Sequence, residues 1–82
     1  FVERGDTDRA LKDYDLAIRQ RPAFADALHN RGTVHALRRD YDRAIADYDQ
    51  VLALAPNSPR ATEARRLALA SKAEMAVGLP PR

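Results

Sequence analysis

Apolar residues along this chain recur at helical spacing and stop at prolines. Ile45, Tyr48, Val51 and Leu52 make one apolar stripe at i, i+3, i+6 and i+7, while aspartates and arginines take the other faces. That pattern predicts a helix ending before Pro56, because the residue preceding a proline is pushed out of helical geometry. Leu11, Tyr14, Ala17 and Ile18 predict an equivalent helix ending before Pro22. Between them Phe24, Leu28, Gly32 or Val34, and Leu37 keep helical spacing, which predicts a second kind of helix. Arg38-Arg39-Asp40 is read as a short turn with Asp40 as the next N-cap. Pro59 suits a first helical position, and an alanine-rich helix is expected from there to about Val77, with Gly78 as its stop.

The helices repeat. Shifting the chain by 34 residues lays Gly5–Pro22 over Arg39–Pro56 with eight identities in eighteen positions: Asp6/Asp40, Asp8/Asp42, Arg9/Arg43, Ala10/Ala44, Asp13/Asp47, Tyr14/Tyr48, Asp15/Asp49 and Pro22/Pro56. Chance would give about one at ordinary residue frequencies. Helix, tight turn, helix and Pro-marked loop at this period resemble the tetratricopeptide repeat family, whose order is W-x2-L-G-x2-Y, then A-x3-F, then P. Here the order reads Leu28-x2-Arg31-Gly32-x2-His35, then Ala44-x3-Tyr48, then Pro56; the upstream copy has Ala10-x3-Tyr14 and Pro22, and Phe1 falls at the aromatic position. Leu28 for tryptophan, Arg31 for leucine and Thr7 opposite Tyr41 depart from the pattern, and each is expected to weaken packing locally.

The expected fold is therefore all-α, an α-solenoid fragment of antiparallel tetratricopeptide-type hairpins. One domain, 1–82, would comprise a partial repeat (1–24, mainly its second helix), a complete repeat (25–58), a capping helix (59–78) and a tail (79–82). Gly32, Ala10 and Ala44 are small where paired helices would approach closely, and Tyr14, Tyr48 and Leu28 would fill the space between helices. Ala61, Ala64, Leu67, Ala68 and Met75 are expected to form the apolar stripe of the last helix, and Arg66, where Gly32 stands one period earlier, argues against a further repeat of the usual kind. Repeats stabilise one another by stacking, so a chain that opens inside a first helix calls for an effective cap, for self-association, or for a longer array around it.

Composition and charge remove alternatives. Sixteen alanines in 82 residues favour helix. The formal net charge is only +2, and the basic excess lies wholly in residues 59–82. No apolar run approaches a membrane span. Without cysteine there is no disulfide framework, thiolate metal site or cysteine nucleophile. No targeting signal is legible, so the compartment is unassigned and a soluble cytoplasmic setting is the default expectation.

Candidate chemistry is sparse. His29 and His35 are six apart, whereas helical metal pairs need i+3 or i+4; His35 reads as a packing aromatic and His29 as a groove or surface residue. The pairs Asp6/Asp8, Asp13/Asp15, Asp40/Asp42 and Asp47/Asp49 lack the glycine and distal glutamate of a calcium loop, and read as caps, dipole compensation and surface charge pairs. Arg4-Gly5-Asp6 spells an adhesion tripeptide, here expected in the turn between paired helices. Arg60, Arg65, Arg66 and Lys72 could hold phosphates, but Glu63 and Glu74 interrupt them and no aromatic interleaves for base stacking. No catalytic set, cofactor site or metal site is expected, nor a nucleic-acid or membrane partner.

The resemblance implies a non-catalytic interaction module or scaffold. In that family the first helix of each pair lines a concave groove for a peptide or partner protein. Asp26, His29, Asn30, Thr33 and Leu37 would line it from one helix, with Ala36; Arg60, Glu63 and Leu67 would follow from the next, with Ala70 and Ser71. Asn30 and Arg60 match two positions of a carboxylate clamp, but Ala64 stands where a second basic residue is needed. The alternative is structural: a homodimer formed through Ala10, Leu11, Tyr14 and Ile18 of the first helix.

Overall fold

A computed structural model describes residues 4–77, with side chains from Gly5 to Ala76. Four helices run in order: α1 (Arg4–Gln20), α2 (Ala25–Leu37), α3 (Tyr41–Leu54) and α4 (Pro59–Val77). Each packs on its sequence neighbours, and α2 also touches α4. The result is a slab of 40 × 33 × 17 Å. The expected roles of Phe1, Gly78 and the tail lie outside the described residues.

The breaks between helices have local causes. Pro22 and Pro56 follow the ends of α1 and α3. Asp40 caps α3, its carboxylate accepting from the Arg43 N–H at 3.5 Å, and the Ser58 hydroxyl accepts from the Ala61 N–H ahead of Pro59. The turn after α2 is a Schellman motif: the Arg39 N–H donates to the Ala36 carbonyl and the Asp40 N–H to the His35 carbonyl. It places Arg39 at φ 63°, in the left-handed region where a Cβ is penalised. The residue one period earlier is Gly5. Arg39→Gly is therefore expected to stabilise the fold by about 0.5–1 kcal/mol, read as a rise in urea midpoint at unchanged m-value. No rise would mean that the strain is relieved elsewhere.

Two clusters form the core. Leu28 (0% exposed), Val51 and Ala61 join α2, α3 and α4, with Ile18 and Leu52 packed against them; Ala44, Tyr48 and Ala68 form the second. A Cβ on Gly32 would lie 2.9 Å from Tyr48 Cε1 and 3.1 Å from Asp47 Cβ, so the small residue is what lets α2 and α3 approach.

Three expectations are corrected here. Arg4-Gly5-Asp6 is no turn: all three residues lie within α1. In α4 only Ala61 and Ala68 of the expected stripe are buried, with Ala64 half-buried, whereas Leu67 (53%) and Met75 (56%) are exposed. Alanines recur on every side of this helix, so apolar spacing does not distinguish its faces. The open face of α1 is narrower than Ala10, Leu11, Tyr14 and Ile18, because Ile18 is packed into the Leu28 cluster.

Charge pairs brace the stack at the same 34-residue period as the helices. Asp8 pairs with Arg38 and Asp15 with Arg31, joining α1 to α2; Asp42 pairs with Lys72 and Asp49 with Arg65, joining α3 to α4. The aspartates and Lys72 are more than half exposed, whereas Arg31 is only 20% exposed; the three pairs that do not involve Arg31 contribute at most about 1 kcal/mol each.

Candidate functional site

The face shared by α2 and α4 carries a pocket of about 360 Å3. Thr33, Ala36 and Leu37 border it from α2, Tyr41 and Tyr48 from α3, and Ala64, Leu67, Ala68 and Ser71 from α4. No charged side chain lines it. Among the lining groups the Thr33 and Tyr48 hydroxyls lie 3.1 Å apart, and Thr33 also donates to the His29 carbonyl at 3.1 Å. Leu37 (61% exposed) and Leu67 stand open to solvent beside it. A short apolar side chain could desolvate here while a backbone N–H donates to a hydroxyl oxygen.

Of the residues anticipated for a groove, Thr33, Leu37 and Leu67 border this pocket, as do Ala36 and Ser71. Asp26, His29, Asn30, Arg60, Glu63 and Ala70 do not. His29 is buried rather than displayed: its ring packs on Tyr48 with centroids 5.3 Å apart and planes tilted by 50°. Burial pushes its pKa down, with Arg60 adding to the shift and Asp26 opposing it. Asp26 and Arg60 are exposed, and Asn30 is half-buried. Glu63 is engaged by Arg66 one turn along, which holds the carboxyl below its ordinary range. Tyr41, Tyr48 and Ala68 were not anticipated there, and Ala64 had been considered only as the place of a missing basic residue. Tyr41 and Tyr48 come from the second helix of the hairpin, and their i+7 spacing was the available signal that one α3 face reaches the pocket.

The opposite side of α2 is electrostatic. Arg31 forks onto Asp47 through Nε (2.9 Å) and Nη2 (2.6 Å), and its Nη1 reaches Asp15 at 2.9 Å. The Asp47 side chain is 4% exposed and that of Asp15 52%. Asp47 is thus not the surface charge its sequence context suggested, and Arg31 does not weaken packing. It replaces an apolar contact with a bidentate, charge-assisted one. The fork raises the Arg31 pKa above its already high ordinary value. His35 Nε2 lies 3.9 Å from Asp47; burial pushes the His35 pKa down, with Asp47 partly opposing the shift. A cleft of about 420 Å3 opens beside this cluster, among Leu11, Arg43 and Gln50. Arg31 and Asp47 are already committed to each other there, leaving no unpaired buried charge for chemistry.

Among the described residues, no group of three histidine, aspartate or glutamate side chains could hold a metal ion. No described helix is long and apolar enough to cross a membrane.

A family model of the tetratricopeptide repeat matches residues 1–59. The chain belongs to the tetratricopeptide repeat family. Comparison with curated proteins found no match. Tetratricopeptide repeats are in general protein–protein interaction modules and non-enzymatic scaffolds, so a protein partner is the class of ligand that this membership indicates. The family order also explains the sizes found above: Gly32 admits Tyr48, Ala44 is fully buried, and Leu28 fills the place of the family's tryptophan.

Proposed function

We propose that this chain is a non-catalytic peptide-binding module, and that the α2–α4 face is its recognition surface. The observation that carries the reading is the uncharged pocket with Leu37 and Leu67 exposed beside it. Large apolar side chains exposed beside a concave site are what an interface core needs. The ligand would insert one apolar side chain between Leu37 and Leu67 and bond its backbone to Thr33 or Ser71. Its polar flank would run toward His29, Asn30, Asp26 and Arg60. Glu63, already engaged by Arg66, would contribute little. Affinity would rest on the apolar anchor, and the flanking charges would set salt dependence.

Selection of displayed random peptides on the intact chain tests this. Enriched peptides should share an apolar anchor and lose about tenfold or more in affinity to Leu67→Asp or Leu37→Asp. Both positions are exposed, so neither change threatens the fold. Peptides that bind these variants as well as the parent chain would refute the assignment, and so would a selection that enriches nothing.

A further inference from the structure

A titratable ring stands behind the wall of the α2–α4 pocket. His29 is 8% exposed and meets Tyr48 in two ways. Its ring packs on the Tyr48 ring with centroids 5.3 Å apart. Its carbonyl accepts from the Thr33 hydroxyl, which leaves that hydroxyl to accept from the Tyr48 O–H. Thr33 and Tyr48 both line the pocket. Gly32 bounds the Tyr48 ring with backbone, so closely that a Cβ there would lie 2.9 Å from Cε1. His29 bounds it with a side chain that can turn away.

We propose that His29 is an acid-sensitive latch on this pocket: a proton on its ring breaks the contact with Tyr48 and frees the wall that Tyr48 and Thr33 form. The inference rests on the reading of the pocket as a recognition surface. The place suits a neutral ring. Among the described residues no group hydrogen-bonds to its nitrogens. An imidazolium carries two N–H donors, and a buried charge without an acceptor is costly. The charged groups that act on the ring are Arg60 from α4 and Asp26 from its own helix. From α3 it faces Tyr48, and α1 brings no charge to it among the described residues. Burial and Arg60 outweigh Asp26, so His29 holds a proton less tightly than a free imidazole. Above pH 6.5, the ordinary imidazole value, the ring is neutral and the latch closed. As the pH falls below that value and through the lowered midpoint, the latch opens. The other histidine of α2 is distinguishable from it. His35 faces Asp47 and Arg43 of α3 and lines the cleft on the opposite side of the helix.

The probe is the proton itself, followed by ring and methyl resonances of the intact isotope-labelled chain from about pH 8 to about pH 5. The His29 midpoint should lie below 6.5, and the Tyr48 ring and Thr33 methyl signals should move along the same curve. In His29→Phe, which keeps an aromatic ring but takes up no proton, that movement should vanish while His35 still titrates. His29→Gln gives the same reading should the larger ring disturb the fold. A His29 midpoint at or above 6.5 would mean that the attraction of the Tyr48 face for a cation prevails, and would overturn the proposal. So would Tyr48 and Thr33 signals that stay still while His29 titrates, or that still move in both variants. None of these readings uses a ligand, so they stand or fall apart from peptide recognition. A second measurement follows a selected peptide that Leu67→Asp weakens. Its affinity should fall below pH 6.5 by up to about tenfold per pH unit, the limit for one proton, and should not fall in His29→Phe. An affinity that holds constant across the His29 midpoint in the parent chain would equally overturn the latch.

Discussion

Asp47→Ala should destabilise the chain by about 2–4 kcal/mol, which lowers the midpoint of thermal unfolding by roughly 10–20 °C for a domain of this size. The reason is asymmetry. The carboxylate is almost wholly buried and accepts two bonds from Arg31, while the guanidinium is itself only 20% exposed. Removing the acceptor leaves a cation committed to a site with little water, and only the exposed Asp15 remains to answer it. The loss lies below the full value for a sealed ion pair because Arg31 keeps some solvent and one partner. His35 should respond as well. Asp47 is the main influence raising its pKa against burial, so the variant's imidazole should titrate at lower pH. Replacing both partners by apolar residues, Arg31→Leu with Asp47→Leu, should recover most of the loss, because a buried pair is costly mainly when broken. Paired thermal and urea unfolding of the single and double variants measures this directly. A single-variant loss under about 0.5 kcal/mol, typical of an ordinary surface site, would refute the account.

Leu28→Ala is expected to cost about 3–4 kcal/mol. Leu28 is the largest side chain with no exposure, and it touches the cluster to which α1, α2, α3 and α4 all contribute. Truncation removes apolar burial and leaves a void. The surrounding groups are Val51, Ala61, Ile18 and Leu52 on three separate helices, so no single side-chain shift fills the gap. The domain is small and its total stability is expected to be a few kcal/mol. The variant should therefore be substantially unfolded at 37 °C, visible as lost helical ellipticity. Val51→Ala, in the same cluster but smaller, should cost less. A Leu28→Ala chain that melts within a few degrees of the parent would show that the core closes around the gap.

The two predictions differ in how much of their basis could be read beforehand. Leu28 lies at a family packing position, and its burial follows from the repeat. The helix limits at Pro22, Asp40, Pro56 and Pro59 follow from backbone chemistry that acts within a few residues. Gly32 and Ala44 were legible for the same reason: a periodic pattern with small residues at one phase means two helices meeting closely there. The apolar pocket was half legible. Its α2 and α4 borders follow from the family resemblance, while Tyr41 and Tyr48 entered it from a helix assigned only to packing.

What escaped was whatever depends on the opposite side of a contact. His29 stands on the face where a groove was expected, yet the Tyr48 ring covers it. Leu67 and Met75 share spacing with Ala61 and Ala68, but α3 is close enough only for the alanines, and the longer side chains are left in solvent. Asp13-Tyr14-Asp15 and Asp47-Tyr48-Asp49 make the point with identical residues. By itself the sequence determined the helices and their period, because each of these is settled by neighbours along one helix or by one repeat shift. Only the tertiary structure decided that Asp47 is buried beneath an arginine fork while Asp13 lies open, because burial is set by the helix packed across from a residue, and α2 lies across from Asp47 but not from Asp13.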